Sequence, residues 1–421
     1  MELRTYIGKS VFGLIALLCI SSSGDDLFID DYLSNQSTSD VQVALSNAIA
    51  DANSGDRIVF TAGKEYRFSG TTVVDKSGLI FVGNGAKLVR EDAIVTSLTN
   101  SANAGANRIQ VADASQYRIG MEFAAVGATG GHADSETTAR HLISGINGNE
   151  IEFRTVAGSG LTRNYDSGAK VVNTFDFMRI DSDDISFDGF VFDGNRSNND
   201  TLVSWTRNRT IVSEEVGLTI ENSIFKNMPS DGIVTSKSSG LNISNNLFRD
   251  LNTSAIHLSG TDNVDGNEIY FNNNVIFNSN NQWDRANHSE GAITISLRAD
   301  HIRNKGNLVA ESDAAFVGYF HHDMEDWVVE ENMVTATDRL FYSTARIAEP
   351  LEDIIWRNNF ANDVGDSFAI TIEDGITDNF VFDNNEINGG TLRFTGLTDG
   401  SVFGNTVRSS DDDPLRLENL N

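Results

Sequence analysis

The sequence predicts an all-β fold: a single-stranded right-handed parallel β-helix, with an N-terminal capping helix and a small β-rich insertion. Short apolar strands recur along the second half of the chain, and each unit ends near an asparagine. The composition agrees, because 36 glycines, only three prolines and abundant Asn, Asp, Ser and Thr suit many short strands joined by tight turns.

The asparagine repeat defines the coils. Each unit alternates apolar and polar residues, then has a polar pair ending in Asn and a further apolar residue. The repeated asparagines are Asn222, Asn246, Asn274, Asn307, Asn332, Asn359, Asn385 and Asn405. Their spacing of 20 to 33 residues is the length of one solenoid coil with loops of variable size. We expect these asparagines to take the bends and to stack in a hydrogen-bonded ladder.

A second strand family lies between the asparagine units. Its members begin at Asp231, Ser254, Gly291, Asp313, Arg339 and Ser367. Stacked coils should pair these strands in one parallel sheet whose outward residues form rows. Such a flat row of polar side chains is a natural platform for a long polymer.

The N-terminal part fits the same plan. Residues 41–52 have helical spacing of apolar residues after a Ser-Asp N-cap, which predicts a helix that plugs the open end of the solenoid. Residues 55–66, 78–88 and 185–195 read as further coils. The period is lost over about residues 95–172, which we interpret as a β-rich insertion packed on the solenoid.

The first residues predict export. Arg4 and Lys9 precede an apolar run over residues 11–20 that is too short to span a bilayer. We assign residues 1–24 as a signal peptide and residues 25–421 as a single β-helix domain. Cys19, the sole cysteine, also resembles the anchor of a lipoprotein signal, although Leu18 departs from the small residue preferred there. Simple secretion and a lipid anchor to the outer membrane both remain open.

The formal net charge of −29 argues against a nucleic-acid partner, because no basic face is available to neutralise phosphates. An acidic chain can still bind an anionic polymer through a local basic patch. We expect a monomer.

Residues 55–66 resemble the first coil of the pectin-lyase-like β-helix proteins. That superfamily of polysaccharide-active proteins includes lyases, hydrolases, epimerases and non-catalytic binding proteins, so the resemblance implies a polysaccharide partner and leaves the reaction open. The motif set of polygalacturonases and the Asp-Pro-His-Glu motif of mannuronan epimerases are missing from the sequence.

Residues 288–300 resemble the active-site strand of iota-carrageenases. On that comparison Asp300 keeps the place of one catalytic carboxylate, whereas Arg298 stands where the catalytic Glu should be. Glycoside hydrolysis needs two carboxyl groups, and Glu290 or Asp313 could supply the second. The same comparison places His257 near a substrate-binding position, and His321 or His322 near an active-site histidine.

Arg298 also permits elimination. Its spacing of five from Arg303, which we predict to bind substrate, resembles the arginine spacing of pectate lyases. A lyase of this kind needs a base, for which His257 or Tyr342 is suited, and an anion neutraliser. Arg298 and Arg346 could clamp carboxylate or sulfate groups.

Calcium is a candidate cofactor, because Glu290, Asp300 and Asp313 could supply the oxygen ligands that it prefers.

The leading hypothesis is an exported lyase that cleaves an acidic polysaccharide by β-elimination, with His257 as base and Arg298 as charge neutraliser. The alternatives are a glycoside hydrolase distantly similar to iota-carrageenases, using Asp300 and Glu290, and a non-catalytic glycan-binding or adhesive β-helix.

Overall fold

Three long parallel sheets form the body of the molecule in a computed structural model. The described residues are 24–34, 41–128, 141–155, 160–199, 208–236, 239–258, 268–279, 291–295, 300–320, 324–345, 350–365, 370–373, 376–395, 399–409 and 415–418. In each coil the chain passes from the first sheet to the second, then to the third, and back to the first. This pairing confirms the predicted right-handed parallel β-helix.

The strands, numbered in chain order, divide among the three sheets as follows. The first sheet contains β1 (Asp26–Phe28), β2 (Arg57–Val59), β5 (Ile80–Val82), β14 (Ser186–Asp188), β17 (Thr219–Glu221), β20 (Asn242–Ser244), β23 (Ile269–Asn272), β26 (Ile302–Lys305), β29 (Met324–Glu330), β32 (Pro350–Arg357), β35 (Ile376–Asp378), β36 (Phe380–Asp383) and β39 (Gly400–Phe403). The second contains β3 (Glu65–Phe68), β6 (Lys87–Arg90), β15 (Val191–Asp193), β18 (Ile224–Met228), β21 (Leu247–Leu251), β24 (Val275–Ser279), β27 (Leu308–Ala310), β30 (Met333–Thr337), β33 (Phe360–Val364), β37 (Glu386–Gly389) and β40 (Thr406–Arg408). The third contains β4 (Thr72–Val74), β13 (Met178–Ile180), β16 (Ile211–Ser213), β19 (Ile233–Thr235), β22 (Ile256–Leu258), β25 (Ile293–Ile295), β28 (Ala314–Phe320), β31 (Arg339–Ala345), β34 (Ile370–Glu373), β38 (Leu392–Thr395) and β41 (Leu415–Glu418).

An asparagine ladder runs along the bend between the first and second sheets. Both the backbone N–H and the side-chain Nδ2 of Asn246 donate to Oδ1 of Asn274, each at 3.1 Å. The second Nδ2 hydrogen goes to the carbonyl of Ile220 at 2.9 Å. The same pattern joins each following pair, in the order Asn274, Asn307, Asn332, Asn359, Asn385 and Asn405. These buried amides are fully satisfied, which makes the ladder favourable.

Asn222 corrects the predicted ladder by one residue. Its side chain is exposed and donates to Asp188 at 2.7 Å, while Ser223 takes the ladder position and donates its backbone N–H to Asn246. The bend is made by the residue before each ladder member, which has positive φ; in order these are Asn222, Asn245, Asn273, Gly306, Glu331, Asn358, Asn384 and Gly404. We predicted that one asparagine both makes the bend and joins the ladder. In the structure two adjacent residues divide these roles.

Aromatic stacks fill the interior of the solenoid. Phe192, Phe225 and Phe248 stack from coil to coil, with ring centroids 4.8 and 4.7 Å apart. Further along, Trp327 and Trp356 are almost fully buried. The spacing of the stacked phenylalanine rings matches the distance between neighbouring strands. Like residues in successive coils therefore stabilise the register.

The capping helix is confirmed as α2 (Val41–Asp51), whose Ala44, Leu45 and Ala48 are fully buried against the first coils. A short helix that we did not predict, α1 (Ile29–Ser34), precedes it. A 3-10 turn (Arg196–Asn198) follows β15.

The β-rich insertion is also confirmed. It forms an antiparallel sheet of β7 (Val95–Ser97), β8 (Arg108–Gln110), β9 (Glu122–Ala128), β10 (His141–Asn147), β11 (Glu150–Thr155) and β12 (Tyr165–Asn173). A hydrophobic cluster of its own, which includes Phe123, Ile151 and Phe153, supports this sheet.

No helix in the described ranges is long and apolar enough to cross a membrane. Residues 1–23 of the predicted signal peptide, Cys19 included, lie outside those ranges.

Candidate functional site

The third sheet carries the row that contains His257. The second strand family pairs in parallel as predicted, and the register places Val234, His257, Thr294, Val317, Tyr342 and Thr371 side by side on successive strands. Because neighbouring strands lie about 4.8 Å apart, His257 and Tyr342 are separated by about 14 Å along this row.

His257 lies at the middle of β22. The two residues beside it, Ile256 and Leu258, are buried, whereas His257 itself is partly exposed, as strand alternation requires of an outward position. Its row neighbours Val234 and Thr294 are also buried. His257 is therefore more exposed than its row neighbours on either side.

A buried carboxylate, Asp231, lies close to His257. It comes just before β19, is 4% exposed, and accepts hydrogen bonds from the hydroxyl of Thr253 at 2.6 Å and from the backbone N–H of Ser254 at 3.1 Å. Its charge acts on the imidazole of His257. Asp231 is thus fixed in position on the coil before the histidine.

Burial shifts both groups toward their neutral forms. It raises the pKa of Asp231, against the lowering effect of His257, Arg209 and the hydrogen bonds to the carboxylate. It lowers the pKa of His257, an effect that the Asp231 charge opposes and the Arg209 charge reinforces. A lowered pKa leaves the imidazole neutral at pH 7, so it can accept a proton.

Arg209 and Asp176 precede Asp231 on the two coils before it. Asp176, Arg209 and Asp231 occupy the same register position, two residues before the first paired residues of β13, β16 and β19. Arg209 donates through Nε to Oδ1 of Asp176 at 3.1 Å and through Nη2 to Oδ2 at 2.9 Å. This bidentate pair engages both oxygens of Asp176.

A second cation, Arg90, lies beneath the row. It is fully buried, stacks on Phe175 with its guanidinium 3.9 Å from the ring centroid, and donates to Asn208 at 3.1 Å. Burial lowers the pKa of Arg90 to about 9, which leaves it protonated at neutral pH, and the charge of Asp176 opposes that lowering.

Asp231, Arg209 and Asp176 were missed as site residues from the sequence. A signal existed: aligning the strands β13, β16 and β19 on their central residues puts an Asp, an Arg and an Asp in one column on three successive coils. The variable loops between coils hide that column unless strand register is known.

Arg303 is placed apart from His257. It lies on β26 of the first sheet, where Nη1 and Nη2 donate to the two carboxylate oxygens of Asp326 at 2.9 and 2.6 Å. Hydrogen bonds to Asp326 raise the pKa of Arg303. The structure therefore does not bring this predicted substrate-binding residue to the histidine.

The two predicted acids within the described ranges lie at different corners of the coil. Asp300 precedes β26 of the first sheet and accepts the backbone N–H of Glu325 at 3.2 Å. Asp313 precedes β28 of the third sheet, at the register of Asp338. Neither is brought next to His257.

The other predicted site residues fall outside the described ranges. These are Glu290, Arg298, His321, His322 and Arg346. The backbone of Tyr342 pairs with Val317 in the third sheet, in the same row as His257.

No group of three or more His, Asp or Glu side chains suited to holding a metal ion occurs in the described part of the chain. The calcium site depended on Glu290 together with Asp300 and Asp313, and it stays a prediction.

The sequence matches no protein-family model. No match is found among curated proteins either.

Several solved structures have a similar backbone trace. The Family 28 exopolygalacturonase of Yersinia enterocolitica is 13% identical, with 94% of this chain and 78% of that chain covered and a TM-score of 0.49. The hyperthermoactive exopolygalacturonase from Thermotoga maritima is 11% identical, with 94% and 91% covered and a TM-score of 0.48. The DFA-IIIase from Arthrobacter chlorophenolicus A6 is 12% identical, with 94% of each chain covered and a TM-score of 0.47. At such identity the likeness carries no activity over, and the fold assignment rests on the strand pairing.

Proposed function

We propose that this chain is an exported enzyme that cleaves an acidic polysaccharide by β-elimination on the outward face of the third sheet. The proposal is carried by one observation: the partly exposed His257 in an outward row, with the buried carboxylate of Asp231 beside it. A neutral imidazole held in this way is suited to accept a proton from a bound substrate.

The proposed reaction needs few groups. His257 removes the proton on the carbon next to the uronate carboxylate, and the electrons of that C–H bond form a carbon–carbon double bond. The bond to the glycosidic oxygen breaks, and that oxygen leaves with a proton from solvent or an acid. Arg298, the predicted charge neutraliser, would stabilise the negative charge that develops on the carboxylate.

Hydrolysis is less well supported by the described residues. It needs one carboxyl group to protonate the leaving oxygen and a second to activate water or attack. Near His257, however, Asp176 is held by both hydrogen bonds of Arg209, and Asp231 is buried under the donors from Thr253 and Ser254. The arrangement is better suited to elimination by a single histidine base than to hydrolysis by two carboxyl groups.

Tyr342 suits substrate binding and not the same chemical step. Tyr342 and His257 are about 14 Å apart along the row, so the two residues cannot act on one glycosidic bond.

The test is a screen of the mature protein against polygalacturonate, alginate, ulvan and carrageenans, with ultraviolet absorbance and reducing ends measured together. Elimination predicts new absorbance from the unsaturated product in step with new reducing ends. Reducing ends without absorbance would reject elimination and favour a hydrolase. Retention on a polysaccharide gel without any product would favour a non-catalytic binding protein. Parallel reactions with calcium and with a chelator test the predicted cofactor.

A further inference from the structure

A second polar cleft lies on another face of the solenoid, at the N-terminal end of the second sheet. Its volume is about 440 Å³. The lining residues are Glu65, Arg67, Lys87, Val89, Asp92, Asp193, Asn195, Asn198 and Lys226. Three of them are cations and three are acids, so the lining carries no net formal charge on a chain whose net charge is −29.

The floor of the cleft is one register row. Arg67, Val89, Asp193 and Lys226 are paired side by side on β3, β6, β15 and β18. The rigid sheet therefore sets the spacing of these side chains, at about 4.8 Å per strand.

Asp193 is already satisfied within the protein. Lys226 forms an ion pair with it at 2.9 Å, the side chain of Asn227 donates at 3.1 Å, and the backbone N–H of Asn195 donates at 3.0 Å. Burial alone would raise the pKa of Asp193, but these donors outweigh it and the pKa is lowered. This carboxylate is therefore ionised and occupied.

The other two acids of the cleft are occupied as well. Asp92 accepts from the amides of Asn195 at 2.7 Å and Asn198 at 3.0 Å, which also fixes the wall of the cleft. Glu65 forms an ion pair with Arg67 at 2.8 Å. Each acid of the lining thus has a donor of its own.

Lys87 is the charged residue of the lining whose side chain has no hydrogen-bond or ion-pair partner among the described residues. It is exposed, and its register neighbours are Glu65 and Val191. Glu65 is taken by Arg67, and the ammonium of Lys87 makes no hydrogen bond or ion pair with any other described residue. The cleft consequently presents one ammonium that is not paired with a carboxylate, although its three cations and three acids sum to no net formal charge.

We propose that this cleft binds one acidic sugar unit, with the carboxylate or sulfate of the sugar on Lys87 and its hydroxyls on the neighbouring Asn and Arg side chains. A neutral sugar would leave the Lys87 ammonium without a partner, whereas an acidic sugar supplies the carboxylate or sulfate that this ammonium lacks. The cleft lies on a different sheet from His257, so it is a binding site separate from the proposed reaction. Engaging a polymer at two places raises the effective concentration at each.

The first experiment measures protection of individual lysines. The His257→Ala variant, which cannot consume the ligand by the proposed reaction, is acetylated with and without trigalacturonate, and mass spectrometry gives the rate at each lysine. Lys87 should be slowed several-fold. Lys170 is the matched control, because it is also exposed and also has no ion pair among the described residues, and it should react at an unchanged rate.

The second experiment measures affinity by calorimetry. Lys87→Met should weaken binding of trigalacturonate about tenfold or more, as expected for loss of a charged hydrogen bond, while Lys87→Arg retains most of it. Lys170→Met should bind as the unaltered protein does. A sulfated carrageenan tetrasaccharide serves as a second probe, and its relative affinity distinguishes sulfate from carboxylate.

Three outcomes would overturn the proposal. One is no binding of either acidic oligosaccharide; another is equal loss of affinity in the Lys87→Met and Lys170→Met variants. The third is protection of Lys87 by inorganic sulfate or by neutral maltotriose as strong as that by the acidic sugars. None of these outcomes depends on whether the protein is a lyase.

Discussion

Arg209 holds Asp176 through two parallel hydrogen bonds, from Nε to Oδ1 and from Nη2 to Oδ2. Because both oxygens of Asp176 are engaged, Asp231 on the following coil is the carboxylate that acts on His257. This division of roles between two acids of one column underlies the proposed chemistry.

Asp231→Asn should make His257 a weaker base. Burial already lowers the pKa of His257, and the Asp231 charge opposes that lowering, so removing the charge moves the pKa further down. We expect the acid limb of the pH profile of kcat/KM to shift to lower pH, with a plateau reduced on the order of tenfold. The measurement is cleavage rate against pH.

Asp363→Asn is the control for that experiment. Asp363 is exposed and has a φ of 55°, which Asn tolerates equally well. An unmoved acid limb in Asp231→Asn, or an equal shift in both variants, would contradict the assigned role.

Asn332→Ala should strongly destabilise the solenoid. Asn332 accepts from the backbone and side chain of Asn307 at 2.9 and 3.0 Å, and it donates to the carbonyl of Asn304 and to Asn359, both at 3.0 Å. Leaving these buried groups unpaired should lower the free energy of unfolding by about 3–5 kcal/mol, measured in urea. Asn362→Ala, at an exposed strand position, should change it by less than about 0.5 kcal/mol. Equal effects of the two substitutions would show that the ladder adds no stability.

Ala336→Gly should stabilise the protein. Ala336 is exposed with a φ of 51°, a conformation that costs a residue with a Cβ roughly 1–2 kcal/mol and glycine almost nothing. After the greater flexibility of the unfolded chain is subtracted, we expect a gain of about 1 kcal/mol in thermal or urea unfolding.

Ala62→Gly provides the opposite case. Ala62 is an exposed turn residue that is not among the positive-φ positions, so glycine there should destabilise by about 0.5–1 kcal/mol. Destabilisation by both substitutions would mean that the backbone at Ala336 carries no strain.

Much of the fold was predictable because stacking makes the sequence periodic. Asn246 and its successors recur at coil length, and their spacing alone placed the ladder. The first member was misplaced because Ser223 replaces Asn at the ladder position and Asn222 lies one residue earlier. Periodicity locates coils, but a shift of one residue changes which side chain points inward.

The site was predictable only in part. His257 stood out as a histidine in a strand of apolar residues, and the structure places it in an outward row. Its neighbours Asp231 and Arg209 come from earlier coils, 26 and 48 residues away in the sequence, and only the strand register brings them together. The distance along the chain hides such contacts. Arg303 was predicted as a site residue from its spacing to Arg298, and the structure places it on another sheet from His257.

The central claim is that His257 accepts the proton in an elimination. Its most direct test is the initial rate of ultraviolet absorbance gain for His257→Ala on the polysaccharide that the intact enzyme cleaves. Loss of a general base predicts a rate about 10²–10⁴-fold lower, with the substrate still retained. His301→Asn, at a half-buried bend just before β26 of the first sheet, should keep the full rate. Cleavage by His257→Ala at the rate of the unaltered enzyme would contradict the account.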